Sequence, residues 1–231
     1  MKNVIPSLSL ALGLWALCSD ASAVTLVEAG QPKATVYLDA GTLTPAEQTG
    51  LTRVCQWVIE GVAQATGARL PLVTGPAEEN TGALILTTAQ AHSELVAKSG
   101  LHADNLSAYA ISSSGERTYL IGANPAALPH AAAHLLRELR FRYYAPSPRW
   151  HVVPSLRDVR IDINVSEAPD VGSRSIWYAY GMPEKALMEN YRQWVFANRL
   201  TGNALINTGH SYGNIIGRNA REFEAHPEYY A

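Results

Sequence analysis

One segment limits the possible folds more than any other. Residues 44–67, TPAEQTGLTRVCQWVIEGVAQATG, carry both the start and the stop signals of a single amphipathic helix. Thr44 is suited to be its N-cap, Pro45 to stand at the first helical position, and Glu47 to complete a capping box. Leu51, Val54, Cys55, Val58, Ile59 and Val62 recur on one helical face, and Gly67 ends the run. Such a helix needs an apolar partner surface, and short β-branched runs flank it: ATVYLD (34–39), RLPLV (69–73) and ALILTT (83–88).

The same alternation continues to Asn164. AQAHSELVAKSG (89–100) reads as a second helix. AYAISSSGERTYLIGA (108–123) reads as a hairpin turning at Ser113–Glu116, and Asn124 is suited to cap a third helix over about 125–139. RYYAPSPRWHVVPS (142–155) is an irregular aromatic and proline connection, and DVRIDINV (158–165) alternates as one strand. Strands and helices in this order predict an α/β unit of two layers with a mixed sheet over 24–165. SEAPDVGS (166–173) is a turn-rich joint. Beyond it, RSIWYAY (174–180), a helix near 184–200 and NALIN (203–207) read as one βα unit and the start of another. A closed eight-fold barrel needs roughly 200 residues or more. The section 166–231 therefore reads as the opening of an incomplete (β/α)8 barrel, or as a small appendage.

The first residues address the chain elsewhere. Lys2, an apolar run from Val4 to Cys18, and Ala21-Ser22-Ala23 form a secretory signal over 1–23, so an exported protein, periplasmic or extracellular, is expected. No later stretch is long and apolar enough to span a bilayer. With Cys18 in the signal, Cys55 has no intrachain partner, and its helical surroundings make it a core residue. The chain has 47% hydrophobic and 16% charged residues, with a formal net charge of −2. It shows no basic stripe and no Lys/Arg cluster, which argues against a nucleic-acid partner.

GHSYG (209–213) matches the G-x-S-x-G nucleophile elbow, with Ser211 at its centre. An elbow needs a later acid and histidine, yet only Glu222, Glu224, His226 and Glu228 follow, with no further strand to carry them. A decoy is the better reading, and a small serine esterase using Ser211 stays as an alternative. His210 would sit at the mouth of a βα unit, where it could bind a sugar hydroxyl or simply cap a loop. His210, His226 and Glu228 lack the spacing of a metal site, so neither metal nor cofactor is expected. Pro227 makes a shared helical face for Glu224 and Glu228 doubtful, and no opposed carboxylate pair for glycoside hydrolysis can be placed.

Three stretches carry a resemblance. Residues 109–154, from YAISSSGERTYLIGANP to RYYAPSPRWHVVP, resemble the end of the N-terminal domain that precedes the barrels of α-glucuronidases and related hexosaminidase-type glycoside hydrolases. EAPDVGSRSIWY (167–178) resembles the entry to the barrel. GHSYGNIIGRNAREFEAHPEYYA (209–231) is similar to segments of secreted bacterial proteins with domain of unknown function 4838. Pro129-His130 depart from the pattern, standing where the family has a glycine and an aromatic residue. The resemblance implies a barrel continuing past Ala231 with its catalytic carboxylates on later strands, so the catalytic residues are left unassigned and this portion would be inactive by itself. It implies a carbohydrate partner, with Arg174, His210, Tyr212, His226 and Glu228 lining a sugar subsite. Trp177, Tyr178 and Tyr180 would stack on sugars or, as the preferred reading, be buried in a barrel strand. The competing reading is a carbohydrate- or protein-binding module without catalysis.

Overall fold

The computed structural model describes residues 23–77, 82–172, 174–176, 185–201 and 217–230. Its centre is a six-stranded mixed sheet of β3 (Ala34–Leu38), β4 (Leu72–Thr74), β5 (Gly82–Thr88), β6 (Tyr109–Ser114), β7 (Arg117–Gly122) and β11 (Asn164–Glu167). The order is β11-β6-β7-β5-β3-β4. β4, β3, β5 and β7 run parallel, and β6 and β11 are added antiparallel at one edge. A second sheet joins β1 (Val24–Glu28) to β2 (Gln31–Pro32) and β10 (Val159–Ile161). The mixed α/β class expected from the sequence is the one observed.

Period-two alternation decides what each sheet face buries. Val36, Leu38, Leu84, Leu86, Ile111 and Leu120 point to the main core. There they meet α1 (Pro45–Thr66) and α3 (Leu128–Glu138). Tyr37, Ala83, Ile85, Ala110 and Ile121 line the other face, which the short α2 (Ser93–Ser99) covers in part through Leu95 and Val96. β5 is therefore buried on both sides, as an interior parallel strand must be.

The capping box of α1 forms as read: Glu47 N donates to Thr44 Oγ1, and the Glu47 carboxylate accepts from Thr44 N at 2.8 Å. Gly67 closes the helix in the left-handed conformation at φ 78°. Val54, Cys55, Val58, Ile59 and Val62 are all buried, each apolar side chain contributing about 1.5–3 kcal/mol as an upper bound. α3 crosses α1 at Gly61, where a β-carbon would lie 3.0 Å from Leu136 Cδ2.

Several expectations are corrected. The strand expected over 158–165 is two strands in two sheets. Val159 and Ile161 face the core from the small sheet. At Ser113 the chain then changes partner: the Ser113 hydroxyl accepts from Ile163 N, and Ser113 N donates to Ile163 O. β11 continues through Glu167, into the expected joint. The second helix begins only at Ser93, because residues 89–91 form a turn and His92 stands at the N-cap position. β1, which the sequence reading passed over, contributes Val24, Leu26 and Val27 to the core. The third helix opens with a 3-10 turn at Pro125–Ala127, capped by the Asn124 side chain bonding Ala126 N. Arg174–Ile176 carry no strand; the rest of the expected strands at 174–180 and 203–207 lies outside the described residues.

Candidate functional site

A cavity of about 480 Å³ opens where β6 and β11 meet α3 and the end of α4 (Lys185–Ala197). That volume is in the range of small-molecule sites. Tyr109, His130, Glu167, Arg174, Asn198 and Arg199 supply its polar groups.

Secondary structure places each of them. Tyr109 opens β6 and pairs directly with Glu167, the last residue of β11, so the two side chains share a sheet face. His130 and His134 are four apart on α3, on the side that packs against this sheet edge. Arg199 follows α4 with φ 55°, a left-handed turn that redirects the chain and its side chain toward the sheet.

The Tyr109 hydroxyl is the hub. It donates to Glu167 Oε2 at 2.6 Å and accepts from Arg199 Nη1, which also donates to Glu167. With its one proton used, the hydroxyl accepts from His134 Nδ1 at 2.9 Å, which fixes the His134 tautomer as Nδ1–H. His134 Nε2 then faces Glu138 at 3.6 Å.

Burial, reinforced by the Glu167 carboxylate, pushes the Tyr109 phenol well above its usual range, against the pull of Arg199. Burial would raise Glu167, but Tyr109, Arg199 and His134 outweigh it and hold the carboxyl below its ordinary value. For Arg199, burial opposes the charge, and Tyr109 and Glu167 more than restore it. His134 is lowered, chiefly by burial.

Arg174 enters from the other side of the cavity. Its Nε donates to Arg199 O at 3.1 Å, Nη1 to Val171 O at 2.6 Å, and Nη2 lies 3.4 Å from His130 Nε2. A guanidinium can only donate, so His130 Nε2 accepts and its proton sits on Nδ1. That Nδ1 is buried with no hydrogen-bond partner. Burial first, then the charges of Arg174 and Arg199, bring the His130 pKa down to about 4, so the ring is neutral at pH 7.

With a neutral His130, two arginines and one carboxylate, the cavity is suited to hold a hydroxyl-rich or anionic ligand. Glu167 is the one carboxylate lining it among the described residues. Ionised and hydrogen-bonded, it is poorly suited to give a proton.

Of the residues expected to contact sugar, Arg174 lies in this cavity. His226 and Glu228 do not line it; they pair with each other at 2.9 Å on an exposed turn, with His226 stacked on Tyr229. His210 and Tyr212 lie outside the described residues, as do Ser211, Trp177, Tyr178 and Tyr180. Sequence reasoning missed Tyr109, His134, Glu167 and Arg199. Their contacts span up to 90 positions, and no local spacing signals them. His130 stood out only as a departure from a family pattern.

A second polar group sits at the carboxyl ends of parallel β3 and β5. Asp39 accepts from Thr87 Oγ1 and bonds His92 Nε2, both at 2.9 Å. Among the described residues, no cluster of three metal-ligating side chains occurs and no helix is long and apolar enough to cross a membrane.

By sequence, no family model and no curated protein matches the chain. By structure, it is similar to a family GH115 4-O-methyl-α-glucuronidase described as specific for decorated arabinogalactans. The TM-score is 0.52 and the identity 15%, over 77% of this chain and 25% of that one. It is also similar to CpGH84D, at TM-score 0.44 and 12% identity, over 88% of this chain and 40% of that one. The chain thus spans a quarter of the length of the first enzyme and shares the fold of part of it.

Proposed function

We propose that this chain is the N-terminal portion of a secreted glycoside-hydrolase-like protein acting on a polysaccharide or glycan. In this reading residues 24–165 form an accessory α/β domain and 166–231 begin a βα barrel. The observation that carries it is the shared fold with part of an α-glucuronidase. The reading of this portion as non-catalytic is supported by the cavity, whose one carboxylate among the described residues is already committed to Tyr109 and Arg199. Glycoside hydrolysis needs two carboxyl groups on opposite sides of the scissile bond.

Two measurements test the reading. Sequencing the transcript across codon 231 is expected to show the frame continuing, with carboxylates at later strand ends; a stop codon there would overturn the enzyme reading for this polypeptide. The purified chain is expected to release no sugar from uronate-decorated polysaccharide while retaining affinity for it. Hydrolysis would refute the inactive assignment, and lack of affinity for any polysaccharide would remove the glycan assignment.

A further inference from the structure

The second feature that chemistry singles out lies beside this cavity, on the ribbon formed by β8 (Arg142–Tyr143) and β9 (His151–Val152). Arg142 faces Val152 and Tyr143 faces His151, and Tyr144 N continues the ladder to Trp150 O at 3.1 Å. Alternation therefore puts Tyr143 and His151 on one side and Arg142, Tyr144, Trp150 and Val152 on the other.

The first side is packed inward. Tyr143 meets His151 at 4.6 Å between ring centroids and Trp57 at 6.2 Å. The second side is open: Tyr144 is 66% and Trp150 61% exposed. The ribbon is held in place, with Arg142 Nη1 donating to Arg137 O at 2.6 Å and Phe141 O at 2.7 Å. Asn198 Nδ2 donates to Tyr143 O at 3.0 Å from the far side.

Next to Tyr144 is a cavity of about 210 Å³ whose lining among the described residues includes Arg137, Arg142 and Arg199, and no carboxylate. The sequence from Arg137 to Arg149 holds four arginines, no two adjacent, and Glu138 as its one acidic residue. Read along the chain they form no cluster; the fold brings two of them, Arg137 and Arg142, to one cavity and adds Arg199, whose charge Glu167 already pairs. Tyr144 and Trp150 face each other across the end of the braced ribbon and leave two aromatic rings open to solvent. Such rings offer broad flat faces to the C–H side of a pyranose at little cost in side-chain entropy. The adjoining cavity asks for negative charge.

We propose that this ribbon and cavity bind an anionic glycan, with pyranose rings on Tyr144 and Trp150 and a carboxylate or sulfate group held by Arg137 and Arg142. The surface does not depend on the hydrolase reading, since a binding module would use it equally. A glycan is favoured over single-stranded nucleic acid because the arginines converge on one cavity instead of forming a track, and the whole chain carries a net charge of −2.

Calorimetric titration of the full chain tests this with oligogalacturonate, a sulfated chondroitin oligosaccharide, neutral xylo-oligosaccharide and oligodeoxythymidine. The anionic glycans are expected to bind at least tenfold tighter than the neutral one, and the carboxylated and sulfated arms identify which anion is preferred. Tyr144→Ala/Trp150→Ala should weaken binding tenfold or more with the melting midpoint unchanged. Should that variant misfold, Arg137→Gln, an exposed position, should still weaken anionic binding severalfold and leave neutral binding alone. Failure to bind either anionic glycan, binding undiminished in correctly folded variants, or equal affinity for oligodeoxythymidine would each overturn the proposal.

Discussion

The hydroxyl of Tyr109 donates to Glu167 Oε2 at 2.6 Å, joining the first residue of one strand to the last residue of its neighbour. Arg199, after helix α4, binds both groups, so the contact ties the later part of the chain to the sheet.

Tyr109→Phe removes the hub and leaves Glu167, Arg199 and His134 without their common partner. A loss of about 1–3 kcal/mol is expected, measured by urea denaturation. A double-mutant cycle with Glu167→Gln should show a coupling of roughly 0.5–2 kcal/mol. Additivity of the two changes would mean that the contact contributes nothing.

His130 makes stability depend on pH. Its folded pKa of about 4 lies below the value of an unfolded histidine, near 6.5. Between those values the unfolded chain binds more protons, so stability falls as pH drops from about 6.5 toward 4, by on the order of 2–3 kcal/mol. His130→Leu, which also removes the unpartnered Nδ1–H, is expected to flatten the melting midpoint over that range. An unchanged slope in the variant would assign the pH dependence to other groups.

Gly122 ends β7 where the backbone passes close to the start of α3. A β-carbon there would lie 2.5 Å from Asn124 O and 3.0 Å from Leu128 N. Backbone cannot step aside as a flexible side chain can, so Gly122→Ala should cost about 1–3 kcal/mol. Thermal melting of the variant measures it, and a midpoint equal to wild type would contradict this packing.

Cys55 is buried on α1, and burial pushes its thiol up to about 12. Thiolate is the reactive form, so native protein at pH 8 should resist an aromatic disulfide reagent. Labelling should appear only with denaturant, in step with loss of helical signal. Fast labelling of the folded protein would place the thiol at the surface.

Thr44→Ala deletes one half of the α1 capping box. A loss of about 1 kcal/mol is expected in chemical denaturation, with Thr44→Ser retaining stability. Equal stability of the alanine and serine variants would show that the cap is dispensable.

Local chemistry made α1 legible from residues alone, because Thr44, Pro45, Glu47 and Gly67 act on backbone groups within one turn. The β6–β7 hairpin was legible for the same reason, through Gly115 at φ 58° between two alternating runs. Residues 158–165 mark the limit of such reading. Their alternation is unbroken, but it is equally consistent with one strand or with two strands in different sheets. The choice was made by Ser113, some 50 positions away.

The candidate site was less legible. Arg174 was singled out through a family resemblance, whereas Tyr109, Glu167, His134 and Arg199 carried no signal of their own. What the sequence determined by itself was periodicity, caps and turns, since these depend on neighbours three or four residues apart. Only the tertiary structure decided which charges meet. Sheet pairing brings Tyr109 to Glu167, the left-handed turn after α4 delivers Arg199, and the ribbon at 142–152 gathers scattered arginines beside two exposed rings. Those contacts depend on how elements pack across the core, which no local pattern of residues encodes.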